Sequence, residues 1–181
     1  MAATEISFGV VALLVAIAVL FDFMNGFHDA ANSIATVVST GVLKPQQAIV
    51  FAAFFNVLAI LVFHLNVAAT VGKGIVDAGV VDHHVVFGAL IGAIFWNVVT
   101  WWYGIPSSSS HALIGGVVGA AFVAAGPEAI IGEGILGKVV VPAIVAPLLA
   151  FGVAGLGILL IYRIVGRLHP GPVTRGFRFG Q

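Results

Sequence analysis

Runs of about 20 residues almost free of charge recur along this chain, and nothing else constrains its fold as strongly, because a helix of that length matches the hydrocarbon core of a bilayer. In lipid every backbone amide and carbonyl must be bonded within its own segment or a closed barrel, so runs of this length are read as helices. Five spans emerge: from about Ile6 past Phe21, Gln46 to Thr70, Val85 to Tyr103, Ser107 to Ala125, and Lys138 to Tyr162. Composition agrees, since 61% of the 181 residues are hydrophobic and 8% charged, where soluble domains carry about 25% charged residues. The expected fold class is therefore an all-α integral membrane protein. The run Ile6 to Phe21 has no basic lead and no small-residue cleavage site, so it reads as a retained helix and not a signal peptide.

Seven basic and seven acidic side chains cancel, so charge gives no reason to expect nucleic acid as a partner. The lack of cysteine excludes disulfides and thiolate metal sites. Arg163, Arg167, Arg175 and Arg178 crowd the C-terminal tail, whereas only Glu5 precedes the first span. The bias places the tail in the cytoplasm and the N-terminus outside a cell (inner or plasma) membrane, which requires an odd number of crossings. A second copy of such a unit would insert upside down, the plan of inverted-repeat transporters with interrupted helices. Lys44-Pro45, Lys73 to His84 and Gly126 to Gly137 read as interfacial loops. Trp96, Trp101 and Trp102 read as an aromatic belt, or for Trp96 as core packing.

Two polar islands interrupt the oily sequence: DFMNGFHDAANSIATVVST from Asp22 to Thr40, and PSSSSH from Pro106 to His111. Polar groups at membrane depth cost kilocalories unless they line a cavity or pathway, so both are candidate sites for a polar solute. At about 100° per residue, Asp22, Asn25, Asp29, Ser33, Thr36 and Thr40 fall in a stripe about 80° wide, with Asn32 on its edge. Carboxylate, amide and hydroxyl oxygens are the ligands a hard cation such as Na+ takes. The alternative for each is hydrogen bonding between helices. Gly26 and its amide-rich neighbourhood predict a break in the helix there. His28, beside Asp29, is read either as a proton relay or as a structural hydrogen bond. Asp22 is read as a proton carrier, a cation ligand or a packing acid.

In the second island, Pro106 followed by Ser107, Ser108, Ser109 and Ser110 predicts a helix start. Unpaired amides and the positive end of the dipole make a helix start an anion site. Four consecutive hydroxyls point in four directions, so end-on approach is expected, and Ser107 and His111 are placed on one face at i and i+4. Back-bonding to the helix is the alternative for each serine. Gly115 with Gly119, and Gly88 with Gly92, predict close helix packing.

The strings NGFHDAANSIAT (Asn25 to Thr36) and GIPSSSSHALIGG (Gly104 to Gly116) resemble the two signatures of the first repeat of the PiT family of inorganic phosphate transporters. The resemblance covers nearly the whole chain in order and spacing. It implies import of inorganic phosphate on a Na+ or H+ gradient, with no cofactor beyond that coupling cation and no enzyme activity. By the resemblance, Asp29, Asn32 and Ser107 to Ser110 would contact the substrate, and Asp22, Asn25, His28, Asp29 and Asn32 the coupling ion, with Na+ at Asp29 and Asn32. His28 stands where many members have Asn; His is typical of a bacterial subgroup described as proton-coupled or linked to metal-phosphate. The family pattern also has a second, inverted copy of both motifs, and Arg175 to Gln181 resembles the lead-in to it. Residues 1–165 are thus expected to form an N-terminal transmembrane repeat and 166–181 a cytoplasmic basic tail leading toward a missing second repeat. A fragment, a split gene product or half of an assembly would all fit that expectation.

A buried phosphate with no Lys or Arg at the site needs compensation, which a cation beside Asp29 would supply. Two other functions compete with phosphate symport: a symporter of another oxyanion such as sulfate, and an anion channel. A serine hydrolase lacks support, because Ser110 and His111 diverge on a helix and no G-x-S-x-G elbow is present.

Overall fold

The computed structural model describes residues 7–62 and 74–180. Residues 7–31 and 74–136 pack as one compact unit, and residues 32–62 and 137–180 as another. The helices are α1 (Phe8–Ser39), α2 (Pro45–Val62), α3 (His83–Trp102), α4 (Ser109–Ala125), α5 (Gly132–Val165) and α6 (Pro170–Gly180). Of these, α1, α2, α3 and α5 are long and apolar enough to cross a membrane. With 17 residues, α4 spans about 26 Å, slightly under the ~30 Å hydrocarbon core. The expected second span agrees as far as Val62; its end toward Thr70 lies outside the described residues.

The expected break at Gly26 does not occur. Helix α1 runs through it without interruption, and a Cβ added there would meet nothing within 4 Å. A glycine inside a helix costs about 1 kcal/mol. Unwinding would leave several backbone groups without partners at membrane depth, which costs more. The irregular long helix is α5, which contains one widened turn at Leu136–Val140 and a proline, Pro147, that cannot donate a backbone hydrogen bond.

In the first unit, α3 and α4 pack against each other and α1 joins them. Phe21 of α1 sits with Leu90 and Ala93 of α3 in a buried cluster, with Ala112 and Leu113 of α4 packed against it. The hairpin register follows from small residues: a Cβ on Gly88 would lie 3.4 Å from the Ala120 Cβ, and one on Gly92 3.8 Å from the Gly116 Cα. Gly88 and Gly92 thus serve close packing as expected. Gly115 and Gly119 do not, since nothing lies within 4 Å of an added Cβ at either. The close approach falls one residue along, at Gly116, about 100° around the helix. Opposite the serine turn, residues 74–82 and 126–131 are tied by Asp77 N–H to Ala129 O (2.9 Å) and Ile131 N–H to Ile75 O (2.9 Å).

Asp82 caps α3, accepting at Oδ1 from the amides of His84 and Val85, both at 2.9 Å. Its Oδ2 lies 3.1 Å from His84 Nδ1. The Val85 amide first, and then the His84 ring, hold its carboxyl below the ordinary 3.8. A depressed folded pKa gives stability that is present above the unfolded value and lost as pH falls through the folded one. Asp82→Ala should therefore lower the melting temperature slightly at pH 7, and the difference from wild type should shrink as pH falls from about 4 through the lowered pKa. Melting curves of both proteins across pH test this; a difference that grows in acid overturns it.

In the second unit, α1 ends at Gly41 (φ 69°), with Gly41 N–H bonded to Val38 O (3.0 Å) and Val42 N–H to Val37 O (3.1 Å). Glycine suits that left-handed end. Arg178 of α6 donates from Nη2 to the Gly41 carbonyl at 3.0 Å. The basic tail is therefore helical and lies beside the α1–α2 turn that carries Lys44.

Candidate functional site

The turn between α3 and α4 is fixed by its own hydrogen bonds. Gly104 (φ 64°) donates to Trp101 O at 3.1 Å and Ile105 to Thr100 O at 2.8 Å, the paired bonds of a glycine-terminated helix. Pro106 follows, and α4 starts with Ser108 as its N-cap. Ser107 therefore lies outside the helix, and the expected Ser107–His111 face does not form; His111 pairs with Ser108 instead.

The four serines take four roles. Ser107 Oγ accepts from the Trp96 indole N–H at 3.0 Å, which ties the turn to α3. Ser108 Oγ accepts from His111 N–H at 3.4 Å and lies 2.9 Å from His111 Nδ1. Ser109, only 3% exposed, faces α1. Ser110 is exposed. The first three hydroxyls thus point to different partners, although only Ser109 and Ser110 lie within the helix.

Ser109 joins the two islands. Its Oγ is hydrogen-bonded to Asn25 Oδ1 and lies 3.2 Å from Asp29 Oδ2. The register explains this: on α1 the turns after Phe21 carry Asn25 and then Asp29, and on α4 the turn before Leu113 carries Ser109. A hydroxyl has one proton, so it serves one acceptor at a time; with the Asn25 amide turned, its NH2 donates to Ser109 and the Ser109 proton is freed for Asp29. Asp29 thus lies against the first residue of α4, where the helix dipole favours a negative group.

The other polar residues of the first island have their own settings. Asp22 is exposed. His28 is half-buried, and its Nδ1 has no hydrogen-bond partner among the described residues. Asn32 is exposed and belongs to the second unit, as do Ser33, Thr36 and Thr40. Ser33 lines a cavity of about 320 Å³ that Asn56 also lines. The Thr36 carbonyl accepts from Ser39 Oγ at 3.1 Å and from Thr40 Oγ1 at 2.7 Å. The Thr40 hydroxyl is thus bonded back to its own helix, and not to another helix as the alternative expected.

Sequence reasoning missed Asn97 and Thr100, each 1% exposed on α3. Thr100 Oγ1 donates to Trp96 O at 2.9 Å and lies 3.2 Å from Asn97 O. Neither amide atom of Asn97 has a partner among the described residues. The available signal was an amide alone in an apolar span, the same criterion that marked Asn25. A groove of about 840 Å³ along α3 and α4 is walled by Gly88, Gly92, Trp96, His111, Gly115 and Gly119. Asn25, Asp29 and Ser109 are not among its lining residues.

Known proteins resemble this chain in sequence and in fold. The PHO4 phosphate transporter family model matches residues 25–179. A "Probable low-affinity inorganic phosphate transporter" of Rhizobium meliloti (strain 1021) is 50% identical over 97% of this chain and 52% of its own length. A protein of the same name from Streptomyces halstedii is 45% identical over 94% of this chain and 80% of its own length. Among solved structures, "The sodium-dependent phosphate transporter" superposes with a TM-score of 0.78 at 29% identity, covering 86% of this chain and 40% of that one. The chain spans about half the length of the Rhizobium relative and less of several others. These relatives are transporters and not enzymes. Both polar islands fall within the matched residues, apart from Asp22 to Met24, and the chain belongs to the phosphate transporter family.

Proposed function

We propose that this chain takes part in secondary active transport of inorganic phosphate across the cell membrane, coupled to Na+ or H+. The observation that carries the reading is Ser109 at the start of α4 lying against Asn25 and the Asp29 carboxylate. A helix start attracts an anion, yet Asp29 already brings negative charge to this one. Phosphate can share the spot only if that charge is offset, by Na+ held among carboxylate and amide oxygens or by a proton on Asp29. Either makes cation and phosphate binding mutually reinforcing, which is what coupling requires.

In this reading Ser107, Ser108, Ser109, Ser110 and the first amides of α4 contact phosphate, carried free or as metal-phosphate. Asn25, Asp29 and Asn32 hold the cation, and Asp22 and His28 lie on its route. The tail with Arg163, Arg167, Arg175 and Arg178 is cytoplasmic and the N-terminus outside; the Arg178–Gly41 contact supports this by placing the basic tail beside Lys44. A second, inverted repeat completes the transporter.

The test is uptake of radiolabelled phosphate into proteoliposomes containing the complete transporter, with Na+ and pH varied separately. Uptake should follow one of the two gradients. Uptake of sulfate in preference to phosphate would point to the other-oxyanion reading, and uptake indifferent to both gradients to a channel.

A further inference from the structure

The buried amide of Asn97 lies at the level of the serine turn. Gly88 faces Ala120 and Gly92 faces Gly116, so each step forward along α3 is a step back along α4, and Asn97 falls opposite residues 108–111. It follows Ala89 and Ala93 on the buried face of α3, one turn beyond the Ala93 that packs with Phe21. Asn25 lies one turn beyond Phe21, and Ser109 one turn before Leu113. By this register Asn97, Asn25 and Ser109 lie at one level on three helices, with Ser109 and Asn25 hydrogen-bonded and Asn97 bonded to neither.

At that level Asn97 is anomalous. It is 1% exposed, and neither Oδ1 nor Nδ2 is hydrogen-bonded among the described residues. A buried amide without a partner costs kilocalories, and its presence calls for a compensating interaction. Its chemistry is also unlike that of its neighbours: a carboxamide offers two donors at Nδ2 and an acceptor at Oδ1 on one planar edge. Phosphate near neutral pH presents the complement, since it keeps at least one P–OH beside its charged oxygens. Sulfate has no proton there and can only accept.

We propose that Asn97 is a specificity-determining residue of the phosphate site, donating from Nδ2 to a phosphate oxygen and accepting at Oδ1 from the P–OH. This rests on the proposed function and deepens it. Sulfate in the same place would leave Oδ1 facing an oxygen lone pair, and an unmatched buried polar group is a strong basis for rejection. The contact is made with a neutral side chain, so it discriminates by proton count and leaves the site's charge unchanged.

The experiment is ligand-dependent melting of the complete transporter purified in detergent, titrated with phosphate and separately with sulfate, at saturating Na+ and at both mildly acidic and mildly alkaline pH. Asn97→Leu is close in shape and removes an unsatisfied amide, so without anion it should melt at or above wild type. Its phosphate Kd should rise about tenfold or more, and the phosphate-to-sulfate preference should fall toward one. Asn97→Asp, compared at the alkaline pH where the carboxyl is ionised, removes both donors, adds a negative charge beside the anion and should weaken phosphate at least as much. If Asn97→Leu keeps the wild-type preference, the amide serves packing alone and the assignment is overturned. If Asn97→Asp binds phosphate as well as wild type, the amide acts through its oxygen on a cation, which also overturns it. If the wild-type protein responds to neither anion, the phosphate reading itself fails and this assignment with it.

Discussion

Asp29→Asn should abolish cation-dependent phosphate binding while leaving the fold intact. The substitution preserves shape, and its amide oxygen can still accept from Ser109, now 3.2 Å from the carboxylate. What is lost is the negative charge that the proposed function assigns to offsetting the coupling cation. Loss of one partner of a charge pair made on binding costs about 2–5 kcal/mol, which corresponds to an affinity loss of about thirtyfold or more. The expected result in the complete transporter is therefore loss of phosphate uptake together with loss of its response to Na+ and to pH. Melting of the variant without ligands should stay close to wild type, because Asn25 still bonds Ser109. Phosphate binding that persists with wild-type ion dependence would refute the role given to Asp29.

Much of the fold was legible in the sequence because the dominant forces are local. Apolar run length gave the spans, and Gly104-Ile-Pro106 followed by serines gave a helix end and a helix start, each set by backbone bonds within a few residues. The meeting of the islands could be anticipated only as a complementarity of oxygen-rich stripe and helix start. That Ser109, and not its neighbours, reaches Asn25 and Asp29 depends on where α4 begins. Its N-cap at Ser108 rotates every later residue, and no propensity distinguishes Ser107 from Ser108 as the cap. The break expected at Gly26 failed because glycine permits unwinding without requiring it. Asn97 escaped notice because its importance lies in the register of α3 against α4, a tertiary fact.

That register supports the largest expected effect on folding. Gly116→Ala should destabilise the α3–α4 hairpin, and Gly116→Leu should prevent its formation. A Cβ at Gly116 would lie 3.1 Å from the Ala89 carbonyl carbon and 3.2 Å from its Cα, and closer still to its carbonyl oxygen. These are backbone atoms of a helix, so no side-chain rotation relieves the clash and the helices must separate. Overpacking of this kind costs about 1–3 kcal/mol for a methyl and more for a larger group. Gly115→Ala is the matched control: an added Cβ there meets nothing within 4 Å, and alanine is the better helix former by about 1 kcal/mol. Melting of the two alanine variants should show Gly116→Ala well below wild type and Gly115→Ala at or above it. Separation of α3 from α4 would also move Ser109 relative to Asn25 and Asp29, so phosphate binding should weaken in Gly116→Ala before the protein unfolds. Equal melting temperatures for the two variants would show that Gly116 does not set the approach of the helices, and with it would fall the register that places Asn97 at the serine turn.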